Sequence, residues 1–154
     1  MRRMKAKAER AAARGLTLVL ENERAIFGDT APRVLDILET VNSPGLGHAF
    51  DPANYLESHQ GIDEAWRMLK PHVIHFHVKD YSLAQQKNVP AGQGDGRIPE
   101  LIADAVASGF ASFCTLEPHL VVAGKMRGFT GPERFGEAAR ALKSELDARG
   151  VAYD

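Results

Sequence analysis

Four short apolar segments recur along the sequence, and each one reaches a residue that can carry charge or hold a metal. Leu16–Leu20 leads to Glu21, Leu46–Phe50 to Asp51, and Ala111–Leu116 to Glu117. Val73–Val78 contains His77 and runs into Lys79 and Asp80. This last segment alternates strictly. Ile74, Phe76 and Val78 fall on one face and Val73, His75 and His77 on the other, which is the period of a β-strand. The stretches between the segments have the helical period instead. Val34, Leu35, Leu38 and Val41 follow Thr30 and Pro32, and Ile62–Lys70 carries the only tryptophan, Trp66, before Pro71. Leu101, Ile102, Ala105 and Val106 follow Pro99, and Phe135, Ala139, Leu142 and Leu146 follow Pro132. An alanine-rich helix over 3–14, closed by Gly15, precedes the first strand. Tyr81–Arg97, with Gly92, Gly94 and Gly96, and residues 118–131 read as loops. A helix followed by four strand–helix units predicts one α/β domain over 1–154 with a parallel sheet and right-handed crossovers. Its parts are the helix 1–15, the strands and helices 16–117, and the loop and last helix 118–154.

Counting back by twos from each polar end sorts the strand residues onto two faces. Glu21, Val19 and Thr17 share a face with Asp51, Ala49 and Gly47, with His77, His75 and Val73, and with Glu117, Thr115 and Phe113. The opposite face is mostly apolar and should carry the helices. The C-terminal rim of a parallel sheet is where α/β folds place their chemistry. Two glutamates, an aspartate and an imidazole there form an oxygen-rich donor set. Such a set suits Mn²⁺, Mg²⁺ or Co²⁺ better than zinc, which favours thiolates and more imidazole. The competing reading is that strand-end acids cap helices or pair with arginines, and that the histidines of one strand are incidental.

Charge and composition narrow the classes. A net charge of −1 offers no electrostatic case for nucleic acid or an anionic membrane. No apolar run reaches the length of a membrane span. The basic N-terminus lacks the apolar segment of a secretory signal. The single cysteine, Cys114, excludes an internal disulfide, and a cytoplasmic, reducing setting is expected. In a strand it is expected to be a buried, inert thiol.

Five motifs carry a family resemblance: Leu-Glu-Asn-Glu at 20–23, Phe-Asp-Pro-Ala-Asn-Tyr at 50–55, His-Val-Lys-Asp at 77–80, Gly-Gln-Gly at 92–94 and Leu-Glu-Pro-His-Leu at 116–120. In this order they resemble the xylose isomerase-like TIM barrels, the sugar phosphate isomerase/epimerase superfamily. The resemblance runs from Leu16 to about Gly150 and covers strands five to eight, so it implies a parallel (β/α)4 half of a barrel that usually needs about 250 residues. It implies Glu21, Asp51, His77 and Glu117 as metal ligands, with Glu21 and Glu117 also the acid/base pair. Lys79, His75, His119 and Asn54 are candidate substrate contacts. The implied activity is a divalent-metal-dependent sugar, sugar phosphate or cyclitol isomerase or epimerase, acting by proton transfer through an enediolate. A half-barrel leaves one sheet face open, with Thr17, Val19, Val73 and Phe113 meeting water, and its outer strands carry unpaired edges. Self-association follows as an expectation: a homodimer closing two half-barrels, or pairing with a separate N-terminal half-chain. The alternatives are an inactive half-barrel and, further off, a metal-dependent phosphoesterase. The last needs more converging histidines than this sequence offers.

Overall fold

The computed structural model describes residues 1–123 and 126–153, and for 121–123 and 126–129 only the backbone. The elements are α1 (Arg2–Ala12), β1 (Leu18–Glu21), α2 (Ala31–Val41), β2 (Leu46–Phe50), α3 (Pro52–Glu57), α4 (Ile62–Leu69) and β3 (Val73–Val78). They continue with β4 (Asp80–Ser82), β5 (Lys87–Val89), α5 (Ile98–Ala107), β6 (Cys114–Leu116), β7 (Val121–Ala123), β8 (Met126–Phe129) and α6 (Pro132–Ala148). A four-stranded parallel sheet takes the order β1-β2-β3-β6. The chain divides into two compact units, Met1–Phe76 and His77 onward, with the boundary inside β3.

In the first unit, β1 and β2 pair in parallel from Leu18 opposite Leu46 to Glu21 opposite Ala49. β2 pairs with β3 as His48 opposite Val73, then Ala49 opposite His75, with an irregularity between them. The apolar side gathers an aromatic cluster. Phe50 meets Trp66 edge-on with ring centroids 5.3 Å apart, and Trp66 lies 5.6 Å from Phe76. Tyr55 closes on Phe50 at 5.0 Å. Each such ring fully buried stabilises the unit by roughly 1.5–3 kcal/mol, with edge-on pairing adding to it. A second cluster joins Ala8 of α1 to Ile37 and Val41 of α2, over Leu18, Leu20 and Leu46. Ile37 is buried in α2 where the sequence pattern pointed to Leu35, which is half-exposed.

In the second unit, α5 buries Ile98, Leu101, Ile102 and Ala105, while α6 buries Ala138, Leu142 and Leu146. Phe135 and Val106, expected on those stripes, are exposed. Both lie near helix ends. Two segments expected as loops hold antiparallel pairs: β4 with β5, and β7 with β8. Short polar strands of three or four residues leave too little alternation to be seen in sequence.

The face expected to be open is open only in part. Val19 is 47% exposed, but Gly47 and Ala49 on the same face of β2 are buried and Val73 is half-buried; the exposed Thr17 and Phe113 lie just before their strands. Leu16, expected on the helix side, lies before the start of β1 and is exposed. No helix among the described residues is long and apolar enough to cross a membrane. Burial pushes the Cys114 thiol up to about 11. Its alkylation by iodoacetamide in the native protein at pH 8 should therefore run at least about tenfold slower than in urea. Equal rates in mass-spectrometric labelling would contradict an inert thiol.

Candidate metal centre

Glu21 is the last residue of β1, and the next residue, Asn22, is fully buried. Asn22 and Asp51 bond reciprocally: the Asn22 amide donates to the Asp51 carbonyl at 2.8 Å, and the Asp51 N–H donates to Asn22 Oδ1 at 2.9 Å. The ends of neighbouring strands are thereby locked together. Asp51 also caps α3, with Oδ1 accepting from the Asn54 N–H at 3.0 Å. Pro52 at the first helical position fixes this turn. Asn54 is buried and returns its amide to Glu21 Oε1 at 3.3 Å and to the Asn22 carbonyl at 2.9 Å. The two acids of this unit are thus oriented by two asparagines.

Behind them lies His48, fully buried on the helix side. Its Nδ1 is 2.7 Å from the Leu20 carbonyl, which can only accept, so Nδ1 carries the proton and donates. Nε2 then accepts from the Tyr55 hydroxyl at 3.1 Å. Burial, then the charge of Asp51, raises the Tyr55 phenol far above its ordinary range, so it stays a donor. His48 thus pins the backbone one residue before Glu21, and is itself held by the side chain of Tyr55, four residues after Asp51.

The second unit surrounds one carboxylate with a lysine and two imidazoles. Glu117 follows β6, and its N–H donates to the Val78 carbonyl at 3.1 Å. Glu117 Oε2 lies 3.5 Å from His77 Nδ1 and 3.6 Å from Lys79 Nζ, and Oε1 lies 3.8 Å from His119 Nε2. The His77 contact, with the charges of Lys79 and His119, holds the Glu117 carboxyl down at about 2 against the opposing effect of burial. His119 adopts a left-handed backbone with φ 45°.

Glu21, Asp51, His77 and Glu117 each offer one ligand atom, and these four atoms lie within 4.8 Å of one another. Of the other sequence candidates, Lys79 and His119 sit on Glu117 and Asn54 sits on Glu21. His75 lies outside the group of four, half-buried in β3 opposite Ala49.

Asp80, the last residue of the His-Val-Lys-Asp motif, has a structural part to play beside the four ligand candidates. Its carboxylate is 1% exposed and accepts four backbone N–H groups: Tyr81 and Gly96 on Oδ1, both at 2.9 Å, and Gly92 and Gly94 on Oδ2, at 2.9 and 3.1 Å. The glycine-rich loop is folded around this one side chain. At Gly94 a Cβ would lie 2.4 Å from Asp80 Oδ1 and 2.7 Å from the Tyr81 carbonyl, so only glycine brings the N–H close enough. The signal in the sequence was an acid just past a strand end with three glycines at alternate positions, twelve to sixteen residues on.

The family model of xylose isomerase-like TIM barrels matches residues 1–145. No curated protein sequence matches the chain. Among solved structures, a xylose isomerase-like TIM barrel protein from Mycobacterium smegmatis, in complex with magnesium, aligns with a TM-score of 0.74 and 19% identity, over 98% of this chain and 50% of that one. A probable 3-DHS dehydratase, AsbF, from Bacillus anthracis aligns with a TM-score of 0.67 and 23% identity, over 96% and 54%. D-psicose 3-epimerase from Clostridium cellulolyticum H10 aligns with a TM-score of 0.68 and 19% identity, over 96% and 53%. The chain spans about half the length of the structures it matches.

Proposed function

The chain belongs to the xylose isomerase-like TIM barrel family, and from that premise we propose that it forms half of a divalent-metal-dependent sugar isomerase or epimerase. The observation carrying this reading is the approach of three carboxylate oxygens and one imidazole nitrogen to within 4.8 Å at the rim of a parallel sheet. The donor chemistry fits a hard divalent cation such as Mn²⁺, Mg²⁺ or Co²⁺. Glu117 Oε2 fits it too: it is buried, and His77 Nδ1 and Lys79 Nζ approach it only at 3.5 and 3.6 Å. A neighbour that carries magnesium supports the same reading, and one that carries zinc supports a divalent ion without selecting a hard one.

A bound cation would supply charge stabilisation for two adjacent oxygens of a ketose. The remaining chemistry belongs to the side chains. One of Glu21 and Glu117 takes the proton from the carbon beside the carbonyl, and the other returns one, through an enediolate. Asn54 holds the Glu21 carboxylate in place, and His77 and Lys79 hold that of Glu117 ionised. His75, His119 and Lys79 are proposed as contacts to sugar hydroxyl and carbonyl oxygens. Neighbours that act on psicose and ribulose support a ketose as the substrate class.

This reading requires cover for the open face. Between α1 and the edge strand β1 lies a groove of about 550 Å³ lined by Met1, Met4, Leu18, Val19 and Leu46, with Lys7 at its side. On the face read as open, Val19 stands exposed. A second copy closing a complete barrel is the proposed occupant, and a separate N-terminal half-chain is the alternative. Native mass spectrometry in Mn²⁺ is expected to give a metal-loaded dimer. With ketohexoses in D₂O, that dimer is expected to incorporate one deuterium at the carbon beside the carbonyl, read by NMR. A monomer that takes up no metal would leave only an inactive half-barrel.

A further inference from the structure

Lys79 is buried to 4% side-chain exposure, yet it carries a charged head. A lysine is almost never enclosed to this degree without a counter-charge. One counter-charge is Glu117, 3.6 Å from Nζ, and the same carboxylate is also approached by His77 and His119. The four residues of the candidate centre bring three carboxylates and one imidazole, a formal charge of −3. With the His77 imidazole neutral, as a ligand must be, Lys79 brings the sum over these five residues to −2, equal and opposite to a divalent cation.

We infer that Lys79 is the charge-balancing residue of this centre: it opposes the metal and attracts a substrate oxygen that bears negative charge. The inference rests on the metal-dependent reading above. In the free protein the ammonium competes with any cation for Glu117. Once a cation engages Glu117, the ammonium turns its attraction to an incoming oxyanion, the enolate oxygen of a ketose or a carboxylate beside a carbonyl. A lysine that merely filled space or propped Glu117 would, when removed, weaken both metal and anion binding. A charge-balancing lysine gives effects of opposite sign. A unit charge this close in a partly buried site shifts binding of an ion tenfold or more.

The test is calorimetric titration of the full chain with Mn²⁺, followed by titration of the Mn²⁺-saturated protein with oxalate, a planar dianion with adjacent oxygens. Lys79→Met is expected to bind Mn²⁺ at least about tenfold more tightly and oxalate at least about tenfold more weakly. Lys79→Arg, which keeps the charge, is expected to stay near wild type in both. Lys79→Gln replaces Lys79→Met if thermal melting shows the latter unfolded, with the same signs expected. Unchanged or weaker Mn²⁺ binding by the uncharged variants, with wild type binding normally, would overturn this inference alone. Unchanged oxalate binding would overturn its anion half. Failure of wild type to bind Mn²⁺ at all would remove the metal-dependent reading and this inference with it.

Discussion

Replacing Asp80 with alanine is expected to destabilise the protein by about 3–5 kcal/mol. Four backbone N–H groups converge on its carboxylate, two on each oxygen. Hydrogen bonds to a charged acceptor contribute roughly 1.5–3 kcal/mol each. The sum is not realised in full, because burying the carboxylate opposes it. Burial in fact wins at this site, and the Asp80 carboxyl is raised above its ordinary range despite the four donors. Alanine nevertheless leaves those donors facing a void with no acceptor. Asp80→Asn is expected to cost less, about 2–3 kcal/mol, since the amide keeps one oxygen and sets an NH₂ against the other pair of donors. Urea denaturation measures both. Hydrogen exchange at Gly92, Gly94 and Gly96 should speed up first, because the loop opens before the core does. Asp95 provides the contrast. It also accepts a backbone N–H, from Leu83, but on an exposed surface, and Asp95→Ala should cost under about 1 kcal/mol. Similar losses for the two alanine variants would mean that Asp80 does not organise the loop.

Asp80 also shows where reading from sequence stops. The four strands were legible because alternation and polar ends survive even in short segments, as at His75, Phe76, His77 and Val78. The rim residues were legible because they share one phase across four strands. Their supports were not. Asn22 locks Asp51 across 29 positions of sequence, and His48 reaches Tyr55 through a side-chain bond that no periodicity encodes. Asn54 was picked out as a substrate contact from its motif, whereas its amide is engaged by Glu21 and the Asn22 carbonyl. Helix α3 was missed because six residues after an aspartate and a proline are too few to show a period, although that pair is itself a helix start. Local pattern determines where an element sits. Which polar atoms meet across the ends of those elements is decided by three-dimensional closure, and only the glycines near 92–96 leave a trace of it.

Glu117→Gln is expected to lower Mn²⁺ affinity by at least about 100-fold, more than the loss of an outer-shell partner. It removes one of three carboxylates and leaves Lys79 and His77 facing a neutral amide. Calorimetry then gives the opposite sign to Lys79→Met, and a loss for both would point to general damage. The acid limb offers a check without metal. The Glu117 carboxyl is held at about 2, below its ordinary 4.5. A depressed carboxyl gives stability that is complete above the unfolded value and is lost as pH falls through the folded one. In EDTA, wild type should therefore exceed Glu117→Gln at pH 7, and the gap should close between about pH 4.5 and 2. The gap at pH 7 is expected to be about 1 kcal/mol, since the side chain is 39% exposed and water screens the pair. Urea midpoints at pH 7, 4 and 2 measure it. A gap that persists unchanged to pH 2 would mean that the glutamate stabilises by packing rather than by charge, and the case for an ionised ligand poised beside Lys79 would fall with it.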